Sequence, residues 1–492
     1  MTAENAQQVT IDGTSLTIAE LKAIAEEKAE LHLEEAALDV IELAHSRLVA
    51  ARVNGAVYGA NTGVGANRAV SVEGSASESG DGHARRLLRS HCAAVGEPES
   101  AALARATMVV RLNQIAAGHS GVSRQLAAAL ISAITTGSSP AIHGRGPIGT
   151  ADLSPLAELA LTLAGELPWQ GGGIPAARIA DTDALPFISS SAMTLAQAAL
   201  ASSKLGAVLD GAAVVASLSF LALQGSPQAY DETVQAARSH PKQGDIAGRM
   251  RSLITSGSGG GTAPARIQDP FGLRVVPQVH APAVAALDRL TTILEAEFNA
   301  GVENPMVTEA GIYHHGQFHL ATLAAAIDHF RTSLVPVLSL SSARLGMLLR
   351  TDMTGLPAFL AAEQPGSSGM MITEYLVQDL LAELRMLATP STGASVSISL
   401  GMEEHASFAP QGARALQGMA QPSSIVVAVE AIAAVRALRL APERLGTAPG
   451  REVFDFLAGE LSPEITDRPL GEDLERATRL VPLLGGLFGD GL

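Results

Sequence analysis

One cysteine, Cys92, is all that the 492 residues contain. That excludes an intrachain disulfide framework and fits a reducing compartment. Aromatic side chains are scarce as well, at 3% with a single tryptophan. The 47% hydrophobic content is therefore mostly Ala, Leu, Val and Ile, and Ala and Leu dominance favours packed helices over sheets. Positive charge is in deficit, 33 Lys and Arg against 49 Asp and Glu, for a formal net charge of -16. This argues against nucleic acid or anionic membrane as a partner, and an anionic small substrate would need a local basic pocket. A clean membrane span is missing: Leu205 to Leu223 carries Asp210 and several small residues and reads as a buried core helix. Met1 to Gly13 has no apolar core, so it does not read as a signal peptide and a cytoplasmic location is expected. No repeat of fixed period is present. The glycine-rich Ser256 to Thr262 follows no predicted strand and lacks a Lys-Ser/Thr ending, so it reads as a flexible connector and not a phosphate cradle.

What is present is helical pattern. Thr17-Ile18-Ala19-Glu20 has the spacing of a capping box opening a helix to Ala29, after a short strand and turn at Val9 to Gly13. Ala- and Leu-rich runs follow at about 34–53, 99–117, 123–135, 153–165, 192–224, 281–299, 319–350, 371–388 and 424–440. Runs of that length predict a bundle of long helices buried on most faces. Irregular Gly- and Pro-rich pieces separate them at 55–83, 136–150, 167–191, 255–280, 301–318 and 389–422, lengths at which loops are usually functional.

Residues 142–158 read Ile-His-Gly-Arg-Gly-Pro-Ile-Gly-Thr-Ala-Asp-Leu-Ser-Pro-Leu-Ala-Glu. They resemble the prosthetic-group segment of the histidine and aromatic amino-acid ammonia-lyases, where Gly-x-x-Gly is followed by Ala-Ser-Gly and then Asp-Leu-x-Pro-Leu-Ala. Here Gly146 and Gly149 are followed only by Thr150 and Ala151, and Asp152, Leu153, Pro155, Leu156 and Ala157 resume the pattern one residue early. The family's electrophile, a methylidene-imidazolone, forms when the Gly nitrogen attacks the Ala carbonyl and the Ser side chain leaves as water. Close backbone approach favours Gly at the nucleophile, and the methylidene carbon must come from a Ser-like side chain. Gly149-Thr150-Ala151-Asp152 is thus a degenerate segment, and the expectation is a chain without methylidene-imidazolone or another cofactor.

The resemblance continues along nearly the whole chain and implies an all-α, long-helix bundle of the ammonia-lyase/fumarase-like type. It also implies a homotetramer with active sites built from loops of more than one subunit. We divide the chain at 190, with 1–190 carrying the Tyr loop and degenerate segment and 191–492 the long central bundle and C-terminal helices. Val57 to Gly65 is similar to the family loop that carries a catalytic tyrosine, which puts Tyr58 in that role; a turn anchor is the bland alternative. A phenol titrates near ~10 unless donors or helix dipoles stabilise its anion. Gln268 to Arg274 with Pro277-Gln278-Val279 matches the segment that sets an arginine against the substrate carboxylate, implying that role for Arg274 through a bidentate fork, with pairing to Asp269 as the alternative. Phe271 stands where the family usually has tyrosine.

Arg89-Ser90-His91 places His91 on the side-chain-recognising position, although a hydrogen-bonded core histidine explains it equally. Asn113, in Arg111-Leu112-Asn113, and Phe318 are implied as substrate-binding together with Gln278. Ser189 lies where the family's asparagine holds the prosthetic carbonyl, so two departures agree. Met402-Glu403-Glu404-His405 matches Gln-Glu-Asp-His, with Glu403 reaching the amine region or lying on a solvated helix face. His315 and His319, four apart, would suit a metal on a helix, but Gly316 lies between and no carboxylate is at ligand spacing; no metal is expected. These residues imply a cofactor-independent enzyme of specialised metabolism. It would act on a small molecule bearing a carboxylate or carbonyl, by Tyr-based elimination, conjugate addition or cyclisation. A non-catalytic homologue and an ammonia-lyase with an atypical electrophile near Thr150 are the alternatives.

Overall fold

Thr17 and Glu20 close a reciprocal box. The Thr17 hydroxyl accepts the Glu20 N–H at 3.2 Å and the Glu20 carboxylate accepts the Thr17 N–H at 2.9 Å, pairing donors that helix geometry leaves open. In the computed structural model, which describes residues 7–72, 82–240, 242–255 and 263–488, this box opens the helix Ile18–Ala25. The expected continuation to Ala29 does not form. Ala29–Leu33 pairs in parallel with Gln7–Ile11 instead, because Leu31 and Leu33 alternate with Glu30 and His32 and half-bury one face. That tertiary pairing overrides the helix propensity of Glu26-Glu27-Lys28. Ser256 to Thr262 and Met1 to Ala6 lie outside the described residues.

The chain forms two compact units, Met1–Leu200 with Thr291–Ile327 and Ser391–Arg414, and Ala201–Leu290 with Asp328–Pro390 and Ala415–Leu492. All-α is the architecture: among the described residues strands occur only in two-stranded pairs. In the first unit the helix Ala101–Ala116 is buried at every position from Leu103 onward. A helix with no solvent face must pair its polar members internally. Arg111 does so with Glu303 at 2.7 Å, both side chains fully buried, and with the carbonyls of Phe187 and Pro186.

The second unit takes most of its material from long helices: it holds Ile372–Leu387 whole and the larger parts of Val276–Phe298, Ala321–Leu348 and Ala409–Leu440. Its buried charge is also paired. Arg344 meets Glu430 through two contacts of 2.5 and 2.9 Å, and Ser219 donates to the same carboxylate. His280 is fully buried, and burial beside Arg344 and Arg249 pushes its pKa down to about 3, so the ring is neutral. The helix expected over 424–440 starts at Ala409 and carries Pro422 within it. Ala409, Ala413, Leu416 and Met419 are fully buried at helical spacing, and that packing outweighs the proline penalty. Ala184–Ala222 is long and apolar enough to cross a membrane, yet 83% of its apolar window is buried inside the protein, as a core helix would be.

Candidate active site

The Tyr58 loop is shaped by one buried asparagine. Asn61 accepts the Val57 N–H at 2.7 Å and donates to the carbonyls of Arg52 at 3.0 Å and Gly55 at 2.8 Å. Asx side chains close such turns by replacing backbone partners. Gly59 follows Tyr58 at φ +70, where a Cβ would meet Leu185 at 2.2 Å, so only glycine fits. The loop then curls back, and the Gly65 N–H donates to the Tyr58 hydroxyl oxygen at 2.7 Å. Two other segments brace it. His314 accepts the Tyr58 N–H at 3.3 Å and stands edge-on to the phenol, while the Ala66 N–H donates to the Ser399 hydroxyl at 3.1 Å.

The degenerate segment lies in the same unit and is pinned along its length. Phe408 donates its N–H to the Ile148 carbonyl at 2.9 Å, the Ser407 hydroxyl donates to the Gly149 carbonyl at 3.2 Å, and the Asp152 N–H donates to the Ser190 carbonyl at 2.7 Å. Between these tethers Gly149 has φ +96 and Ala151 φ +93, a region that alanine seldom enters. Thr150 is the half-buried residue between them, and Ala151 is buried. The Asp152 carboxylate accepts both the N–H and the hydroxyl of Thr194, at 2.7 and 2.8 Å. Burial raises its pKa to about 6, against the pull of those donors.

Ser189 accepts the Asn304 N–H at 3.1 Å. The Ser190 hydroxyl donates to Gln114 at 2.6 Å, and the buried Ser191 hydroxyl has no partner. His91 ends the helix His83–His91 with Nδ1 at 2.9 Å from the Leu87 carbonyl, which assigns the proton to Nδ1 and makes Nε2 the acceptor. Asn113 has a different setting from the pocket wall that the resemblance implies. It is fully buried and accepts from the Gly13 N–H while donating to Phe298 and Asn299; that bracing accounts for its side chain. Phe318 is half-buried in the turn before Ala321–Leu348. Glu403 is half-buried beyond the short Ser399–Gly401 turn, in a bridge with Ile398, which removes the solvated-helix reading of that position.

The remaining expected residues belong to the second unit. Arg274 lies over the exposed Phe271 ring, 4.6 Å from its centroid. Asp269 is taken by Arg266 at 3.0 Å and by the Ser226 N–H at 2.6 Å, so it is not the partner of Arg274. The buried Arg274 Nε and Gln278 Oε1 have no hydrogen-bond partners, a donor and an acceptor one helical turn apart in sequence. Sequence reasoning missed His314, Ser399 and Ser407. His314 had a signal in its place within the His-rich hairpin, whereas the two serines had none.

A profile of the aromatic amino acid lyase family matches residues 16–458. Histidine ammonia-lyase of Symbiobacterium thermophilum is 31% identical over 494 residues, spanning 95% of this chain and 96% of its own length. That of Geobacillus kaustophilus is 32% identical over 442 residues, spanning 85% and 86%. Among solved structures, histidine ammonia-lyase from Trypanosoma cruzi superposes with a TM-score of 0.87 at 26% identity, covering 98% of this chain and 96% of that one. The ergothioneine-degrading ergothionase of Treponema denticola has the same fold, with a TM-score of 0.89 at 22% identity over 98% and 100% of the two chains.

Proposed function

The chain belongs to the aromatic amino acid lyase family, and from that premise we propose that it is an enzyme working without methylidene-imidazolone. In this reading it transfers a proton through Tyr58 on a small molecule that bears a carboxylate. The observation that carries the proposal is the Thr150-Ala151 pair between Gly149 and Asp152. The residues do not suit the prosthetic group. With Ala151 at the central position there is no side-chain oxygen to leave. With Thr150 at the centre, the nucleophile would be the amide of Ala151, a residue whose side chain is buried. The Asp152 amide is already donated to Ser190. No step is therefore drawn through an imidazolone.

What the chain's own residues offer is acid–base chemistry. A backbone donor at 2.7 Å holds the Tyr58 oxygen in place, and a base so placed removes a proton next to a carbonyl whose developing charge is stabilised by fixed dipoles. Arg274 is the residue that the family resemblance implies for the carboxylate, and its buried Nε, a donor without a partner, supports that role. His91 Nε2 offers an acceptor to the rest of the substrate. Without the electrophile an amine is a poor leaving group, so the reaction is elimination of a better one, conjugate addition or ring closure. The assembly is a homotetramer in this reading. Intact mass of the purified chain is the test. A mass equal to the sequence value is expected, and a deficit of two waters would show a cyclised, dehydrated electrophile and defeat the proposal.

A further inference from the structure

His319 and His405, 86 positions apart in the chain, point ring nitrogens at one another, Nε2 of the first 3.0 Å from Nδ1 of the second. Their ring centroids are 5.0 Å apart with planes tilted by 38°. Each ring is carried on anchored backbone. The His319 N–H donates to the Gly316 carbonyl at 3.1 Å and buried Leu320 follows. His405 precedes buried Ala406 and Ser407, and the Ser407 hydroxyl and Phe408 N–H are tied to Gly149 and Ile148. Both histidines belong to the first unit.

We propose that His319 and His405 form a two-histidine site for a borderline divalent transition-metal ion of the zinc, nickel or copper class. Imidazole nitrogens suit those ions. At a metal–nitrogen distance of about 2.05 Å and angles of roughly 90–110°, two ligating nitrogens stand ~2.9–3.4 Å apart, the range in which 3.0 Å falls. The ion would lie about 1.4 Å to one side of the line between the two nitrogens, reached by turning the two rings toward it while the backbone tethers stay in place. The net charge of -16 raises the local concentration of cations. No group of three or more candidate ligands occurs among the described residues, so water fills the other positions and the ion is open to an oxygen of a small molecule.

The histidine pair that sequence spacing offers, His315 with His319, is not this site. His315 donates from Nε2 to the Glu303 carbonyl at 2.7 Å and accepts the Gln317 N–H on Nδ1 at 3.0 Å, which occupies both nitrogens. The inference is independent of the reaction assigned to Tyr58.

Calorimetric titration of the metal-stripped full-length chain with Zn²⁺ tests it. One ion per chain should bind, and His319→Gln and His405→Gln should each weaken binding at least ~tenfold, the lower end of losses seen even for partners outside the ligand set. His405→Cys should keep binding, since a thiolate also ligates zinc, and His329→Gln, at an exposed histidine of the second unit, should change nothing. The proposal is overturned if the native chain binds no tighter than the double Gln variant, or if the Cys variant behaves as the Gln variant does. Thermal melts of each variant separate lost binding from lost fold, and a Gln variant that unfolds leaves the comparison of the native and Cys chains to decide.

Discussion

Asp152→Asn should change how stability responds to pH, and the sign follows from burial. The carboxyl is fully buried and its folded pKa is about 6 against a reference value of 3.8. A group whose folded pKa is raised contributes stability that is fully present below the unfolded pKa and is lost as pH rises through the folded one. Here that window runs from about pH 4 to about pH 7, and a shift of roughly two units corresponds to about 3 kcal/mol in all. Asparagine cannot ionise, so it is spared this loss. Its amide oxygen can keep the Thr194 N–H and its NH₂ can donate to the Thr194 hydroxyl, which turns to accept as it must for the protonated carboxyl. The variant should therefore lie close to the native chain at pH 4.5, and should gain on it by about 2 kcal/mol by pH 7.5. Urea midpoints at the two pH values, with the slope held common and protein concentration fixed, give the difference. A gap between native and variant that stays constant across this range refutes the raised pKa and the buried charge behind it.

Gly149→Ala should destabilise the chain by about 2–5 kcal/mol, since the residue enters φ +96 and its Cβ would lie 2.0 Å from the Ser407 hydroxyl; adding Ser407→Ala should return part of that in the same urea assay. Arg274→Lys keeps the charge but loses the fork, so affinity for a carboxylate ligand should fall roughly ten- to a hundredfold, and unchanged affinity would assign Arg274 to structure. Tyr58→Phe should leave folding intact and slow deuterium exchange at carbon acids in D₂O by ~10²–10⁴ for any substrate found; equal exchange rates would remove Tyr58 as the base.

The parts of the fold that were legible in the sequence are those decided by neighbours along the chain. The Thr17–Glu20 box needs only its own spacing, and the Ala- and Leu-rich periodicity of 101–116 survives even though the helix is buried all round. The helix stops at Ala25 and not at Ala29 because Ala29–Leu33 joins a strand upstream, and a parallel pairing leaves no local mark. The start at Ala409 was hidden by Gly412, Gly418 and Pro422, residues that end helices unless packing holds them. The site divides the same way. The Tyr58 loop, with Asn61 and the glycines around it, carries its own turn chemistry, whereas a catalytic role for Tyr58 is implied by the family resemblance alone. Which polar residues brace the fold is not legible: the resemblance implies Asn113 as substrate-binding, and in the structure Gly13, Phe298 and Asn299 occupy its side chain. The His319–His405 contact was out of reach for the same reason.

The tethers on either side of Thr150 and Ala151 bear on any attempt to write the family's tripeptide into this chain. Placing Ala-Ser-Gly there adds one residue, about 3.5 Å of extended backbone, between a carbonyl held by Phe408 and an amide held by Ser190. Neither end can slide without breaking a buried hydrogen bond, so the added length has to bulge outward and carry the reactive tripeptide away from its place. Insertion alone should therefore yield a longer loop and not an electrophile. Of the three tethers only the Ser407 hydroxyl can be removed by substitution, because the other two are backbone to backbone.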